Sequence, residues 1–240
     1  MNVVAIVQAR MASTRFPGKV LEPLDRFPLL WHVVQRARRI PGVQQTMVAT
    51  VRSDANLPIR DAAKAHLLPY WAGLIAEPDV LGRLALVAKW CHAEVVVRVT
   101  ADCPMLDPWV AGRVLAPVVA GDADYSSNVW PARTYPDGLD VEAFRFWALE
   151  EADRCVHRAD LREHVGPAVR QTIMAHRVAN RRTWPAYRKI RWTVDTPADL
   201  VHVRRVWRIA RQLDGDWFRW RAALVAEWAV RLRDLARRSV

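Results

Sequence analysis

Short apolar runs alternate with amphipathic helical patterns along most of the chain, and this alternation limits the fold more than any other feature. The clearest run is EVVVRVT at residues 94–100, which is typical of a buried strand. Repeated βα units of this length predict a mostly parallel sheet with helices on both faces. The predicted strands are residues 3–7, 46–51, 67–71, 94–100, 123–127, 139–144, 173–178 and 190–194, and the predicted helices are residues 29–37, 56–66, 80–91, 108–119, 147–155, 161–170, 197–212 and 216–237.

The length and composition suit one α/β domain. The chain has 240 residues, 52% of them hydrophobic, which is enough for a sizeable core. No linker, repeat or low-complexity tract interrupts it, so we predict a single domain over residues 1–240. A C-terminal helix at about 213–240 carries tryptophans at helical spacing, which favours core packing or an oligomer contact. A homodimer is therefore left open.

Three observations favour the cytoplasm. No apolar run is long enough for a transmembrane helix, so we expect no membrane partner. The N-terminus has the pattern of a strand and not of a signal peptide. The three cysteines, Cys91, Cys103 and Cys155, form no CxxC pair, which argues against a disulfide framework or a zinc site.

The net charge of +11 raises nucleic acid as a partner. The basic residues are dispersed, however, and no strand interleaves them with aromatic residues as a stacking platform does. Nucleic acid is therefore an unlikely partner.

The loop after the first strand is rich in groups that bind phosphate. Residues 8–21 read QARMASTRFPGKVL and bring together two arginines, a lysine, two hydroxyls and a glycine. Backbone amides and hydroxyls donate hydrogen bonds to phosphate oxygens, and Arg and Lys supply countercharge. The loop also lies beyond the carboxyl end of a strand, where α/β folds bind ligands. It lacks both the Walker pattern and the GxGxxG pattern, which argues against a P-loop ATPase or an NAD site.

Two aspartates follow predicted strands. Asp102 follows residues 94–100 after a single alanine, and Asp195 comes directly after residues 190–194. Carboxylates at strand ends are well placed to hold Mg²⁺ against bound phosphates. A helix cap is the alternative for each segment, and it suits Asp107 better than Asp102. Around Asp195, either Asp195 or Thr196 could cap the helix that follows.

These segments resemble the SpsF-type cytidylyltransferases of spore-coat polysaccharide biosynthesis, relatives of 3-deoxy-manno-octulosonate and acylneuraminate cytidylyltransferases. The resemblance rests on spaced motifs that occur in the family's order over nearly the whole chain. They are QARMxSTRxPGKxL at residues 8–21, DVLxR at 79–83, RxTxDCPLIDP at 98–108, YPxGLDVE at 135–142, REHV at 162–165 and VDTPEDL at 194–200. The resemblance implies a nucleotide-diphospho-sugar transferase (Rossmann-like) fold with a mostly parallel mixed sheet flanked by helices.

The resemblance also implies roles for individual residues. Arg10, Arg15, Lys19, Asp102 and Asp195 would be catalytic, with Asp102 and Asp195 holding Mg²⁺. The residues expected to bind nucleotide are Gln8, Ala9, Arg10, Ser13, Thr14, Arg15, Lys19, Arg83, Thr100 and Asp102. The residues expected to border the acceptor are Tyr135, Asp137, Asp140, Glu142, Arg162 and His164. For these the alternatives are a plain β-turn at residues 136–138 and a surface helix at 162–165.

The implied reaction is Mg-dependent transfer of CMP from CTP to an acidic sugar or another small anionic acceptor, such as a phosphonate, with release of pyrophosphate. It would serve surface polysaccharide or glycoconjugate biosynthesis. Two other classes stay open from the residues alone. One is a glycosyltransferase of the same fold, for which Asp122-Ala123-Asp124 supplies an Asp-x-Asp pair, and the other is a non-catalytic nucleic-acid-binding protein.

Overall fold

The computed structural model describes residues 1–130, 132–133, 135–173, 175–177, 187 and 189–238. Within these residues, seven strands form one mixed sheet in the order β5-β4-β1-β6-β8-β7-β9. Their bounds are β1 Val3–Gln8, β4 Gln45–Val51, β5 Tyr70–Gly73, β6 Val95–Thr100, β7 Tyr125–Ser127, β8 Glu142–Arg145 and β9 Ala175–Arg177, and a short hairpin pairs β2 Pro23–Leu24 with β3 Phe27–Pro28. β1 pairs in parallel with β4 and β6, whereas β8 is antiparallel to β6 and β7. The predicted mostly parallel mixed sheet is therefore confirmed.

Helices cover both faces of this sheet. The described helices are α1 Leu29–Ala37, α2 Leu57–Ala65, α3 Val80–Trp90, α4 Pro108–Ala120, α5 Phe146–Cys155, α6 Ala159–His164, α7 Gly166–Arg170, α8 Pro197–Asp214 and α9 Trp220–Arg238. Alternate residues of β1 point to opposite faces, so Ala5 and Val7 join the core under α1, α2 and α4. Val4 and Ile6 join the core under α3, α5 and α7. None of the described helices has the length and apolarity that crossing a membrane requires.

Side-chain caps fix where two of the helices begin. The Asp107 carboxylate accepts hydrogen bonds from the backbone N–H groups of Trp109 and Val110, at 2.8 and 3.0 Å, and so caps α4. Thr196 caps α8 in a capping box with Asp199. Because these neighbours provide the caps, Asp102 and Asp195 serve as the cap of neither helix.

The predicted strand at residues 190–194 is wrong. This segment forms only an isolated bridge between Arg191 and Asp137. Its backbone hydrogen bonds go to loops, since Trp192 N–H donates to the Asp137 carbonyl at 2.7 Å and Val194 N–H donates to the Asp102 carbonyl at 2.9 Å. The apolar alternation reflects burial of Trp192 and Val194 in a core cluster and not a place in the sheet.

Two further predictions need smaller corrections. The predicted helix at residues 161–170 is divided between α6 and α7 at Val165, whose φ of 53° is rare for a β-branched residue. The predicted strand at residues 173–178 is β9, Ala175–Arg177, and Val178 lies outside the described residues. The other predicted elements are present with shifts of a few residues at their ends.

The C-terminal helices α8 and α9 form the third core cluster with parts of the N-terminal half. Phe218, Ala223, Ala226 and Val230 are buried there, together with Leu29 among others. The tryptophan stripe is divided, because Trp220 and Leu224 pack against this cluster, whereas Trp228 is 44% exposed on the outer side of α9. Core packing therefore does not explain Trp228, and an oligomer contact through it stays a prediction.

Candidate active site

A cleft of about 620 Å³ opens at the carboxyl ends of β1 and β6. Parallel strands bring their carboxyl ends to one edge of the sheet, so the segments that follow β1 and β6 meet there. The cleft is lined by many of the residues expected to bind nucleotide, metal or acceptor, namely Gln8, Ala9, Arg10, Ser13, Thr14, Arg15, Lys19, Arg83, Thr100, Asp102, His164 and Asp195.

The loop after β1 is held in shape by its own backbone and by one buried side chain. Gly18 N–H donates to the Met11 carbonyl at 2.9 Å, and Met11 N–H donates to Asn56 Oδ1 at 2.9 Å. Gly18 has a φ of 74°, a conformation that favours glycine. The turn that follows carries Lys19 back towards the sheet. The polar side chains of the loop are thus presented to the cleft on a fixed backbone.

Lys19 links the two aspartates. Its Nζ lies 2.7 Å from Asp102 Oδ2 and 2.6 Å from Asp195 Oδ1, and Lys19 is only 8% exposed. Burial lowers the pKa of Lys19, but the contacts with Asp102 and Asp195 outweigh it and leave the pKa raised. The ammonium therefore remains charged between two carboxylates that are far apart in the sequence.

Asp195 has two further cationic partners, both on its other oxygen. Arg15 lies 2.9 Å from Asp195 Oδ2, and Arg191 also donates to Oδ2. Burial raises the pKa of Asp195, yet Lys19, Arg15 and Arg191 together hold it below its usual range. Arg191 also binds Asp137 and Asp199 through its remaining nitrogens. These three contacts of the Arg191 guanidinium, called here the Arg191 fork, orient the Asp195 carboxylate.

The donor set fits a magnesium ion that shares its coordination with a substrate. Among the described residues no group of three or more His, Cys, Asp or Glu side chains is placed to hold a metal ion. Asp102 and Asp195 supply two carboxylates, which is the number that Mg²⁺ commonly takes from protein when phosphates and waters complete its shell. A closed zinc cage would need four protein ligands.

Another wall of the cleft is built around two arginines. Arg98 donates to Gln8 Oε1 at 2.8 Å and to Glu142, whose carboxylate also accepts from the Tyr125 hydroxyl at 2.7 Å. Arg83 is 1% exposed and donates to the Glu77 carbonyl at 3.2 Å, while its Nε has no partner among the described residues. Burial lowers the pKa of Arg83, and Arg10 and Arg98 lower it further. The two arginines of this wall favour the binding of an anionic ligand in the cleft.

Most of the residues expected at the acceptor do not line the cleft. Tyr135 is buried, its hydroxyl accepts from Arg113, and its ring packs against Trp220. Arg162 binds Asp79, Asp153 and two backbone carbonyls. Of this set only His164 reaches the lining.

The remaining three acidic residues of that set hold other charged groups in place. Asp137 and Asp140 both accept from Arg133, and Asp137 also accepts from Arg191 and Thr193. Glu142 orients Arg98 by accepting a hydrogen bond from its guanidinium. Burial raises the pKa of Asp140 to about 7, although Arg133 opposes this. These three acidic residues lie outside the lining of the cleft and fix the positions of nearby arginines.

Sequence reasoning missed three charged residues of the site. Arg98 and Glu163 line the cleft, and Arg191 binds Asp195. A signal for Arg98 was present, because an arginine inside a buried apolar strand needs a polar partner or a ligand. No local pattern distinguishes Arg191 or Glu163 from other charged residues near helices.

Comparison with known proteins decides the family. The sequence profile of the cytidylyltransferase family matches residues 4–214. This chain belongs to the cytidylyltransferase family. It is therefore an enzyme that transfers a cytidylyl group, with CTP as the nucleotide substrate.

Individual relatives agree with this assignment. The chain is 28% identical to the spore coat polysaccharide biosynthesis protein SpsF of Bacillus subtilis, over 87% of this chain and 88% of that protein. Its fold is similar to that of a cytidylyltransferase from Leptospira borgpetersenii, with a TM-score of 0.80 and 22% identity over 98% of this chain and 95% of the other. It is also similar to CMP:2-keto-3-deoxy-manno-octonic acid synthetase complexed with CTP, with a TM-score of 0.64 and 21% identity over 85% and 97%.

Proposed function

We propose that this cytidylyltransferase transfers CMP from CTP to a small anionic acceptor, with Mg²⁺ as cofactor and pyrophosphate as the second product. The single observation that carries the proposal is the contact of Lys19 with both Asp102 and Asp195 beside the loop after β1. It supports the proposal because a cation that would bind phosphate and two carboxylates that would hold a metal ion meet at one point of the cleft, as transfer from a nucleoside triphosphate requires.

The residues of the loop would bind the triphosphate. In the proposed reaction an acceptor oxygen attacks the α-phosphorus in line, and the bond from that phosphorus to the bridging oxygen of pyrophosphate breaks. Arg10, Ser13, Arg15 and Lys19 would bind the phosphates and stabilise the charge that develops on pyrophosphate. Asp102 and Asp195 would hold Mg²⁺, which when bound polarises the α-phosphate and offsets negative charge.

An anionic acceptor is supported by the arginines of the cleft wall. Arg83 has a buried Nε without a partner among the described residues, and Arg98 is fixed from behind by Gln8 and Glu142. His164 lines the same cleft and is a candidate for a hydrogen bond to the acceptor or for a base. The name of the octonic acid synthetase favours an acidic sugar as the acceptor, and the name of SpsF favours a role in polysaccharide biosynthesis. A phosphonate is the alternative acceptor.

The two other classes gain no support from the fold. Asp122 and Asp124 precede β7, which runs parallel to β6, so they lie at the edge of the sheet opposite the cleft. Asp124 is close to Arg145, at 4.0 Å. A glycosyltransferase metal site at this Asp-x-Asp pair would be remote from the cleft. Among the described residues that line the cleft there is no Phe, Tyr or Trp ring on which a nucleic-acid base could stack.

The first test is the thermal shift of the protein with CTP, UTP, ATP or GTP, each with and without Mg²⁺. We expect a rise in Tm with CTP that Mg²⁺ increases, because a ligand that binds only the folded state stabilises it. A screen of acidic sugars and phosphonates for pyrophosphate release then identifies the acceptor. A Tm that responds to none of the triphosphates would contradict the proposed function.

A further inference from the structure

The position of Lys19 is incompatible with a metal ion on the same carboxylate oxygens. The ammonium contacts Asp102 Oδ2 at 2.7 Å and Asp195 Oδ1 at 2.6 Å. A Mg²⁺ ion approaches carboxylate oxygens to about 2.0–2.1 Å. Two cations cannot share this space, so a metal ion that uses both oxygens must displace the ammonium.

The rest of the site allows Lys19 to leave while the carboxylates stay in place. Lys19 uses Asp195 Oδ1, whereas Arg15 and Arg191 use Asp195 Oδ2. Departure of the ammonium therefore frees one oxygen on each aspartate and leaves the Arg191 fork intact. A lysine has a flexible four-carbon side chain with a compact charge, so a phosphate bound by the loop after β1 offers it a new partner within reach.

We propose that Lys19 is an exchangeable internal cation that closes the metal site of the free enzyme. In the free protein it neutralises Asp102 and Asp195, and when CTP binds it moves to the phosphates and opens both oxygens to the divalent ion. The consequence is coupling, because metal alone binds weakly and nucleotide strengthens metal binding through Lys19. This inference rests on the proposed binding of CTP and a divalent ion in the cleft.

The test is Mn²⁺ binding, followed by the EPR signal of the free ion, in the wild type and in Lys19→Met, without and with CTP. For Lys19→Met without CTP we expect Mn²⁺ affinity to rise by about 5- to 150-fold, the usual range of coupling between sites. We also expect Mn²⁺ alone to raise the Tm of Lys19→Met, whose aspartates lack their cation, and to leave the wild-type Tm almost unchanged. Lys19→Gln serves in the same assay if the methionine variant does not fold.

Two matched variants separate exchange from a general change of charge. Arg15→Met removes a cation from the other oxygen of Asp195, and Lys64→Met removes an exposed lysine on α2. Lys64→Met should bind Mn²⁺ without CTP as the wild type does, and Arg15→Met should gain less affinity than Lys19→Met, because the Arg15 contact is on the oxygen that Lys19 does not occupy. Equal gains in Arg15→Met and Lys19→Met would overturn the inference.

The proposed exchange of Lys19 can be overturned while the proposed function still holds. Wild-type protein that binds Mn²⁺ with CTP, combined with Lys19 variants that gain no affinity for Mn²⁺ alone, overturns the exchange and leaves the CTP site intact. Wild-type protein that binds neither CTP nor Mn²⁺ under any condition overturns the proposed function and the inference together.

Discussion

Asp102 and Asp195 have unequal surroundings although they share Lys19. The Asp195 carboxylate also contacts Arg15 and Arg191, whereas the Asp102 carboxylate accepts, among the described side chains, one further hydrogen bond, from the Cys103 thiol at 3.6 Å. Loss of the Asp195 carboxylate would therefore take one ion-pair partner from each of three cations, while loss of the Asp102 carboxylate takes one from Lys19 alone. For this reason Asp102 is the better position at which to separate activity from folding.

We predict that Asp102→Asn abolishes turnover and leaves the fold intact. Amide replacement keeps the size of the side chain but removes the charge that would bind Mg²⁺, so pyrophosphate release should fall by about 100-fold or more. The measurement is pyrophosphate release with CTP and the identified acceptor, together with the Tm. Asp124→Asn is the matched control and should retain activity. Turnover at the wild-type rate in Asp102→Asn would contradict the metal assignment.

Burial of the single side chain of His32 makes the stability of the protein depend on pH. It is 4% exposed, and its Nε2 lies 2.6 Å from the Leu24 carbonyl. Burial lowers the pKa of His32 to about 4, although the Leu24 carbonyl opposes this, and Arg36 lowers it further. Between pH 6.5 and 4 the unfolded state binds more protons than the folded state, so stability falls as the pH falls. The loss attributable to His32 reaches about 3 kcal/mol at pH 4.

The measurement is urea unfolding of the wild type and His32→Gln from pH 8 to pH 4. Their difference in free energy of unfolding should be constant above pH 7 and change by about 3 kcal/mol in favour of the variant at pH 4. The difference is needed because Asp140, with its pKa raised to about 7, gives the opposite slope in both proteins. His157→Gln, at an exposed position, should follow the wild type. Parallel curves for the wild type and His32→Gln would refute the expectation.

At the element scale, Arg162 joins three helices on one face of the sheet. It lies on α6 and binds Asp79, which caps α3, and Asp153, which lies on α5. It also donates to the carbonyls of Asp153 and Val156 at the end of α5. The guanidinium is thus used by structural contacts, although the resemblance implied an acceptor role.

We predict that Arg162→Met lowers the free energy of unfolding by about 2 kcal/mol, because several charge-assisted hydrogen bonds are lost. The KM for CTP and for the acceptor should stay near the wild-type values. Chemical denaturation and steady-state kinetics measure the two effects. Arg158→Met, which removes an exposed arginine paired only with Asp160, should cost under about 0.5 kcal/mol. A raised acceptor KM with unchanged stability would restore the acceptor role.

At the scale of the whole molecule, the C-terminal segment closes the core. Arg36 is 1% exposed and donates to the carbonyls of Leu106 and Phe218, both at 3.1 Å. The Trp220 N–H donates to Asp107 Oδ2 at 2.7 Å, so the residue that caps α4 also holds the start of α9. These contacts favour the proposal of one domain over residues 1–240.

We therefore predict that Phe218→Ala destabilises the whole chain by about 3–5 kcal/mol, because a large buried ring is removed from the shared core. Tryptophan fluorescence and far-UV circular dichroism should report one coincident transition in the wild type and in the variant. Leu232→Ala, at a position 65% exposed on α9, should change stability by less than about 0.5 kcal/mol. Two separate transitions would mean that the C-terminal helices form their own domain.

Features that depend on neighbouring residues in the chain were predictable from the sequence. Continuous apolar runs predicted β1 and β6, and the candidate caps at Asp107 and at Asp195 or Thr196 predicted where α4 and α8 begin. The phosphate-binding loop was evident for the same reason, since its donors are contiguous. The strand predicted at residues 190–194 shows the limit of such patterns, because burial in a loop and burial in a sheet give the same apolar alternation.

The contacts between charged residues that are distant in sequence follow from the packing of the whole chain. Lys19 is 83 residues from Asp102 and 176 residues from Asp195, and no local pattern specifies that one ammonium contacts both. The partners of Arg98 and Arg162 were decided in the same way, so one arginine lines the cleft and the other joins helices. Backbone preferences act over a few residues, whereas the meeting of charges depends on how the sheet and helices pack.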